Sequence, residues 1–324
     1  MMKEALYYKK LDHDKVQCEL CPHYCVISRS ESGLCKVRKN INGKLIATSY
    51  GKLVTAHLDP IEKKPLYHYY PGRDIFSIGS YGCNMSCSFC QNYELSQRVY
   101  EVETIFPEQL IGQIKGLGIA FTYNEPLINY EYILDVCQLL AKKSPDKKIV
   151  LVTNGLINEI PLKRLLPYID AFNVDLKGQS EFYKVCGGHF KSVLSNLKLM
   201  QKKHLEVTTL LVTNHVTLED VELLSKKLSE IDKKIPYHLS RYFPNYLMTE
   251  EATSINFMFD AYEIAERYLD YVYLGNIIKE HHTVCKKCHS ILIKRKGFKS
   301  TVMIDTPDCT CGYNNNLVGV MDEK

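Results

Sequence analysis

The chain has 324 residues, 45% of them hydrophobic, and a net charge of +4 with both signs spread along its length. That suits one large core with small appendages. No apolar run approaches the ~20 residues of a membrane span, and the start, M-M-K-E-A-L-Y-Y-K-K, lacks the apolar core of a secretion signal. A cytoplasmic protein with no membrane partner is therefore expected. The densest basic run, Lys294 to Lys299, is short and reads as a solvated face; it leaves nucleic-acid binding open.

Thirteen cysteines in a cytoplasmic chain point to metal or redox chemistry rather than to a disulfide framework. The first four stand in an N-terminal region, residues 1–72. Cys18, Cys21, Cys25 and Cys35 lie in C-E-L-C-P-H-Y-C-V-I-S-R-S-E-S-G-L-C. Four thiolates can hold zinc tetrahedrally or a second iron–sulfur cluster, and spacing does not choose between them. His23 reads as a solvated loop histidine. Lys44 to Tyr50 reads as a strand with a turn at Tyr50-Gly51. His57 to Gly72 mixes charge, aromatics and prolines without a period, and is expected to be an ordered irregular segment covering one end of the main domain.

Residues 73–280 alternate strand and helix patterns. Strands are expected at Ile75–Ser80, Ile119–Tyr123, Lys148–Thr153, Ala171–Asp175, Glu206–Val212 and Pro236–Arg241. Helices are expected near 107–118, 128–143, 160–169, 189–204, 217–232 and 254–270, before a final apolar run at Tyr271–Leu274. Thr217 with Asp220 is a capping signature, and Leu218, Val221, Leu224, Leu228 and Ile231 make one apolar face. Cys137 falls on a helical stripe with Ile133, Val136 and Leu140 and is expected in the core; Cys186, in V-C-G-G, reads as a buried loop thiol. Such alternation predicts an α/β fold, a parallel sheet closed or partly closed into a barrel. Barrels carry their chemistry at the C-terminal strand ends. Here those ends read T-Y-N-E-P (122–126), V-T-N-G (152–155) and V-D-L-K (174–177), and the sixth strand contains P-Y-H-L-S-R (236–241).

After the first strand comes Y-G-C-N-M-S-C-S-F-C-Q-N, residues 81–92, with Cys83, Cys87 and Cys90 at C-x3-C-x2-C spacing. Thiolates this close on a loop suit a four-iron cube, each reaching a different iron. Three ligands leave one iron open, as at a catalytic metal. The tail, residues 281–324, carries Cys285 and Cys288, then Cys309 and Cys311. Two close pairs suit a zinc ribbon, with a hairpin between them at Ser290–Lys294 and a turn at Lys296-Gly297. Spacing leaves open that the N-terminal and tail thiols converge on one site.

The C-N-M-S-C-S-F-C loop resembles the signature of the radical S-adenosylmethionine (SAM) superfamily. The resemblance implies a partial (β/α)6 barrel and a [4Fe–4S] cluster whose open iron is chelated by SAM. It also implies reductive cleavage of SAM to a 5′-deoxyadenosyl radical, which abstracts hydrogen from a substrate. The strand-end motifs resemble the pyruvate formate-lyase activating enzymes within that superfamily. On that likeness Asn92, Tyr123, Asn124, Glu125, Thr153, Asn154, Asp175, Lys177 and His238 would contact the cofactor. Glu125 would hold the SAM amino group, Asn154 face the ribose and methionine end, Asp175 and Lys177 flank the carboxylate, and His238 lie near the adenosyl group. An electron donor such as flavodoxin or ferredoxin is implied. Activases commonly carry an acidic residue two before the Asn-Gly, where this chain has Val152, and some have a cysteine-rich insert after the central loop that this chain lacks. Along nearly the whole chain, C-x-L-C-P-H-x-C, D-P-I-E-K-K-P-L-Y-H-Y-Y-P-G, F-T-Y-N-E-P and H-L-S-R-Y-F-P-N-Y resemble the AmmeMemoRadiSam-system radical SAM enzyme, which implies Memo-like and AMMECR-type partner proteins.

Three functions are thus set against each other. The first is a radical SAM enzyme acting on a peptide, RNA or small molecule. The second is an activase of a glycyl radical enzyme. The third is a zinc-binding adaptor without catalysis.

Overall fold

The computed structural model describes residues 2–278 and 280–320; residues 1, 279 and 321–324, which belong to the three regions expected above, lie outside the described residues. Seven parallel strands follow one another across one sheet in chain order: Asp74–Gly79, Gly118–Phe121, Lys148–Thr153, Ala171–Asp175, His204–Leu211, Tyr237–Arg241 and Val272–Gly275. Sequential order with helical crossovers is what right-handed strand–helix–strand units produce. The last of these strands grows from the apolar run at Tyr271–Leu274, so the sheet has one more parallel strand than the six expected. An antiparallel strand, Thr55–Pro60, pairs with Asp74–Gly79 at the other edge. The two edges are not paired with each other among the described residues, so the barrel is partial.

The helices Tyr130–Lys143, Phe190–Met200, Leu218–Asp232 and Ile255–Glu266 lie where the apolar period puts them. Thr217 caps the third of these as expected: its Oγ1 accepts from Asp220 N at 3.2 Å, and the Asp220 carboxylate accepts from Thr217 N at 2.9 Å. Pro107–Ile111 is shorter than expected and stops at Gly112. Ser180–Val185 is a short helix that its six residues give too little period to reveal. Among the described residues, no helix is long and apolar enough to cross a membrane.

Strand alternation divides the core in two. Ile78, Phe121, Leu151, Phe172 and Val207 face outward into the helices, together with the fully buried Cys137. Ala120, Val150 and Ala171, register partners in one row, face inward and pack on Ile61, Leu66 and Tyr69. The segment expected to be irregular is therefore a strand, then a 3-10 turn at Ile61–Lys63, then a plug in the barrel floor. The strand escapes a sequence reading because it is an edge: His57 and Leu58 are exposed, Pro60 ends it, and no alternation marks it.

Glu206 ties the plug to the barrel. Its buried carboxylate accepts from Tyr67 N at 2.9 Å and His68 N at 2.7 Å, and it contacts His204 at 3.0 Å and His238 at 2.7 Å. Burial opposes the charge, but the two histidines hold this carboxyl well below its usual range. The tail docks on the same plug. Val318 N donates to His68 O at 2.8 Å, and the buried Arg295 donates to Tyr67 O. His68 is itself fully buried; its Nδ1 donates to Asn315 O at 3.1 Å and its Nε2 accepts from Tyr273 OH at 2.7 Å.

The N-terminal residues form two small antiparallel sheets. Arg38 anchors them to the barrel: its guanidinium reaches both Glu131 carboxylate oxygens, at 3.1 and 3.2 Å, with both side chains buried.

Two outcomes follow from the plug. Glu206→Ala leaves two amides and two histidines without their acceptor and should cost about 3 kcal/mol, read as a lower urea midpoint. Burial depresses the His68 pKa from 6.5 to about 3. The unfolded chain then binds the extra proton in that interval, so stability is full above 6.5 and is lost as pH falls toward about 3. A His68→Gln variant should show a shallower loss of melting temperature on acidification than the parent; an equal slope would remove His68 from the account.

Candidate functional site

The loop that leaves the first parallel strand is held from several sides. Ser86 N donates to Cys186 O at 2.9 Å, Gly82 N to Leu95 O at 2.8 Å, and Leu247 N to Ser88 O at 2.9 Å. Gly82 sits at φ +84°, and a Cβ there would lie 2.6 Å from Cys35 O and 2.8 Å from Val37. Only glycine allows this approach of the loop to the N-terminal region.

The three loop thiols are close enough to influence one another's charge. Burial pushes the Cys83 thiol up, with Glu125, Cys87 and Cys90 adding to the push; Cys90 is likewise raised by burial, although Ser96 at 3.3 Å offsets part of it. Cys87 moves the other way, down to about 7, first because Cys186 hydrogen-bonds to it and then because Lys177 lies nearby. Yet the three sulfurs do not all lie within 4.8 Å of one another. Thiols that feel each other but stand apart fit a polynuclear cluster, in which each ligates its own iron, and not a single ion. The loop offers three thiols for such a group.

The strand ends close around Cys83. Asn124 braces the loop base: its side chain accepts from Ser80 N at 3.0 Å and donates to Gly82 O at 3.0 Å. Asn92 donates to Tyr123 O at 2.7 Å and ties the loop's far end to the same strand. Tyr123 is held at φ +70°, an uncommon conformation for a large side chain, by its hydroxyl on Asp59 and by Lys64 at 4.5 Å from its ring. Glu125 is 3% exposed. Its carboxylate accepts from Leu127 N at 2.9 Å, Thr153 Oγ1 at 2.6 Å and Asn154 N at 2.7 Å. Burial nonetheless raises its pKa to about 7. The Asn154 side chain donates to Asn84 Oδ1 at 2.9 Å and points toward Cys83 Sγ at 3.8 Å. Asp175 and Lys177 form an ion pair at 2.8 Å on the Cys87 side. Burial disfavours the Lys177 charge, but Asp175, Cys87 and Cys186 together more than compensate and raise its pKa.

The structure thus brings Asn92, Tyr123, Asn124, Glu125, Thr153 and Asn154 into one bonded set around Cys83, and Asp175 with Lys177 beside Cys87. His238 stands elsewhere. Its Cα is in register with Thr208, which pairs with Asp175, but its ring turns to Glu206 and packs on Tyr67 and Tyr273. Two contributors were not expected at the site from the sequence. Asn84 lies inside the cysteine motif, where nothing distinguishes it from a spacer, yet its side chain bonds both Asn154 and Leu156 O. Cys186 carried only the signal of a thiol in a Gly-Gly loop.

The two terminal cysteine sets remain separate. The tail thiols Cys285, Cys288, Cys309 and Cys311 have all sulfurs within 4.8 Å of one another and could hold a metal. Cys285 and Cys311 are 3.6 Å apart, Cys288 and Cys309 3.5 Å. The strands Ile291–Lys296 and Lys299–Val302 form the hairpin between the pairs. Cys18, Cys21, Cys25 and Cys35 instead line a pocket against Asn84 and Arg38.

A family model described as the radical SAM superfamily matches residues 77–228. The uncharacterized protein MJ0808 of Methanocaldococcus jannaschii is 36% identical over 98% of this chain and 100% of its own length. MJ1632 of the same organism, provisionally named a glycyl-radical enzyme activating enzyme, is 27% identical over 68% of this chain and 86% of its own. Among solved structures, Streptococcus suis SuiB bound to S-adenosylmethionine shares 16% identity over 67% of this chain and 53% of that one, with a TM-score of 0.47. The family match runs from within the strand Asp74–Gly79 into the helix Leu218–Asp232, and on that match, together with the 36% relative, the chain belongs to the radical SAM superfamily, enzymes that use a [4Fe–4S] cluster and S-adenosylmethionine.

Proposed function

We propose that Cys83, Cys87 and Cys90 ligate three irons of the [4Fe–4S] cluster, and that Glu125, Asn154, Asp175 and Lys177 orient S-adenosylmethionine at the fourth. The observation that carries this reading is the bonded path from Cys83 through Asn154 to Glu125. Bound there, the cofactors supply a 5′-deoxyadenosyl radical for hydrogen abstraction. The protein's share is positioning and charge. A carboxylate offers about four acceptor positions, and Glu125 has three filled by its own chain. The fourth suits a ligand ammonium, which would also favour the ionised carboxylate. Lys177 has donors beyond the one it spends on Asp175, and these suit a ligand carboxylate. Val152 stands where an acidic cation ligand would be needed, so no cation site is proposed there.

The reading requires a one-electron donor of the flavodoxin or ferredoxin kind. We infer a peptide, RNA or small-molecule substrate, and Memo-like and AMMECR-type partners from the motif resemblance. The relation to MJ1632 supports a second reading, activation of a glycyl radical enzyme by abstraction from a backbone glycine. The adaptor reading gives way to superfamily membership. Residues 1–72, 73–280 and 281–324 serve as working units of the chain, with zinc proposed in the last.

Anaerobic reconstitution with iron and sulfide, followed by reduction with SAM present, tests the site. Wild type should release 5′-deoxyadenosine. Cys87→Ala should melt like wild type and release none above background; undiminished release by the variant would overturn the ligand assignment. In the tail, Cys309→Ala should lose bound zinc and expose residues 281–320 to protease while SAM cleavage persists. Zinc retained at the wild-type level would show that those thiols are not its ligands.

A further inference from the structure

The N-terminal thiols share with the radical loop a wider spread than the tail thiols show. A zinc ion with Zn–S bonds of about 2.3 Å holds tetrahedral sulfurs about 3.8 Å apart. The tail thiols approach that spacing, at 3.5 and 3.6 Å. Cys18, Cys21, Cys25 and Cys35 line one pocket, yet no three of their sulfurs lie within 4.8 Å of one another among the described residues.

A second observation marks the pocket as built for an acceptor-rich occupant. Arg38 lines it and is 1% exposed. Its two terminal nitrogens are spent on Glu131 and Leu6 O, but its Nε is buried without a hydrogen-bond partner. An unmet buried N–H is costly unless a ligand satisfies it. The sulfur atoms of an iron–sulfur cluster accept such bonds, and a guanidinium offsets the charge that four thiolates bring. A zinc site would offer Arg38 only its ligand sulfurs, whereas a cluster adds inorganic sulfides that accept as well.

We propose that Cys18, Cys21, Cys25 and Cys35 hold a second iron–sulfur cluster, fully ligated by protein, with Arg38 Nε donating to it. The site shares a wall with the radical loop. Asn84, the residue after Cys83, lines the pocket, and its carbonyl bonds His23 Nε2 at 2.7 Å. Cys35 O presses on Gly82. Full ligation separates this cluster from the one at which SAM binds, so the two assignments stand or fall independently.

The test removes the radical site first. The variant Cys83→Ala/Cys87→Ala/Cys90→Ala, reconstituted anaerobically, should still bind iron and acid-labile sulfide in equal amounts and stay brown. Adding Cys21→Ala and Cys35→Ala should abolish both. A folded triple variant with no iron, or with zinc that leaves when Cys21 and Cys35 are removed, would overturn the proposal. Should the triple variant fail to fold, Cys21→Ala/Cys35→Ala decides: with two of its four thiolates gone it should lose roughly half of the wild-type iron and sulfide, since each cube holds its own complement, while still releasing 5′-deoxyadenosine. Unchanged iron in that variant would equally reject the second cluster.

Discussion

A single buried carboxylate organises the catalytic end of this barrel. Glu125 joins the end of the second parallel strand to the end of the third, because its oxygens accept from Leu127 N, Thr153 Oγ1 and Asn154 N. That fixes Asn154, whose side chain reaches Asn84 and Cys83. The position of the cysteine loop therefore depends on a charge held out of water. Such a group is costly unless well paired. Here backbone and hydroxyl donors supply most of the pairing, and burial still raises its pKa to about 7. A cationic ligand group would complete the set, so the same residue serves the fold and the ligand.

The opposite end of the barrel follows the same logic with different partners. Glu206 gathers two amides and two histidines, and through them it fastens Tyr67 and His68 into the floor. The tail then closes over that plug through Arg295, Asn315 and Val318. One end is sealed by residues far apart in sequence, and the other carries the polar strand ends. The open end is the one that barrel chemistry uses.

Much of this was legible in the chain. The parallel strands and the longer helices declare themselves by apolar period, and the C-x3-C-x2-C loop by spacing. The strand-end residues 122–126, 152–155 and 174–177 follow once the barrel is assumed. What escaped has physical reasons. Thr55–Pro60 is an exposed edge without alternation. Asn84 acts through a side chain whose partners lie some seventy positions away. His238 stands within a strand in sequence, and its ring direction, toward Glu206, depends on a long-range pair that no local pattern encodes. The N-terminal thiols show the same limit: their count was plain, whereas their gathering in one pocket beside Arg38 and Asn84 exists only in the fold.

The central claim is that three thiolates leave one iron free for a sulfonium ligand. The most direct measurement is the electron paramagnetic resonance spectrum of the reduced protein before and after adding S-adenosylmethionine. The account predicts that one cluster signal shifts, because its open iron gains the amino and carboxylate groups. A spectrum unchanged at saturating S-adenosylmethionine would contradict it.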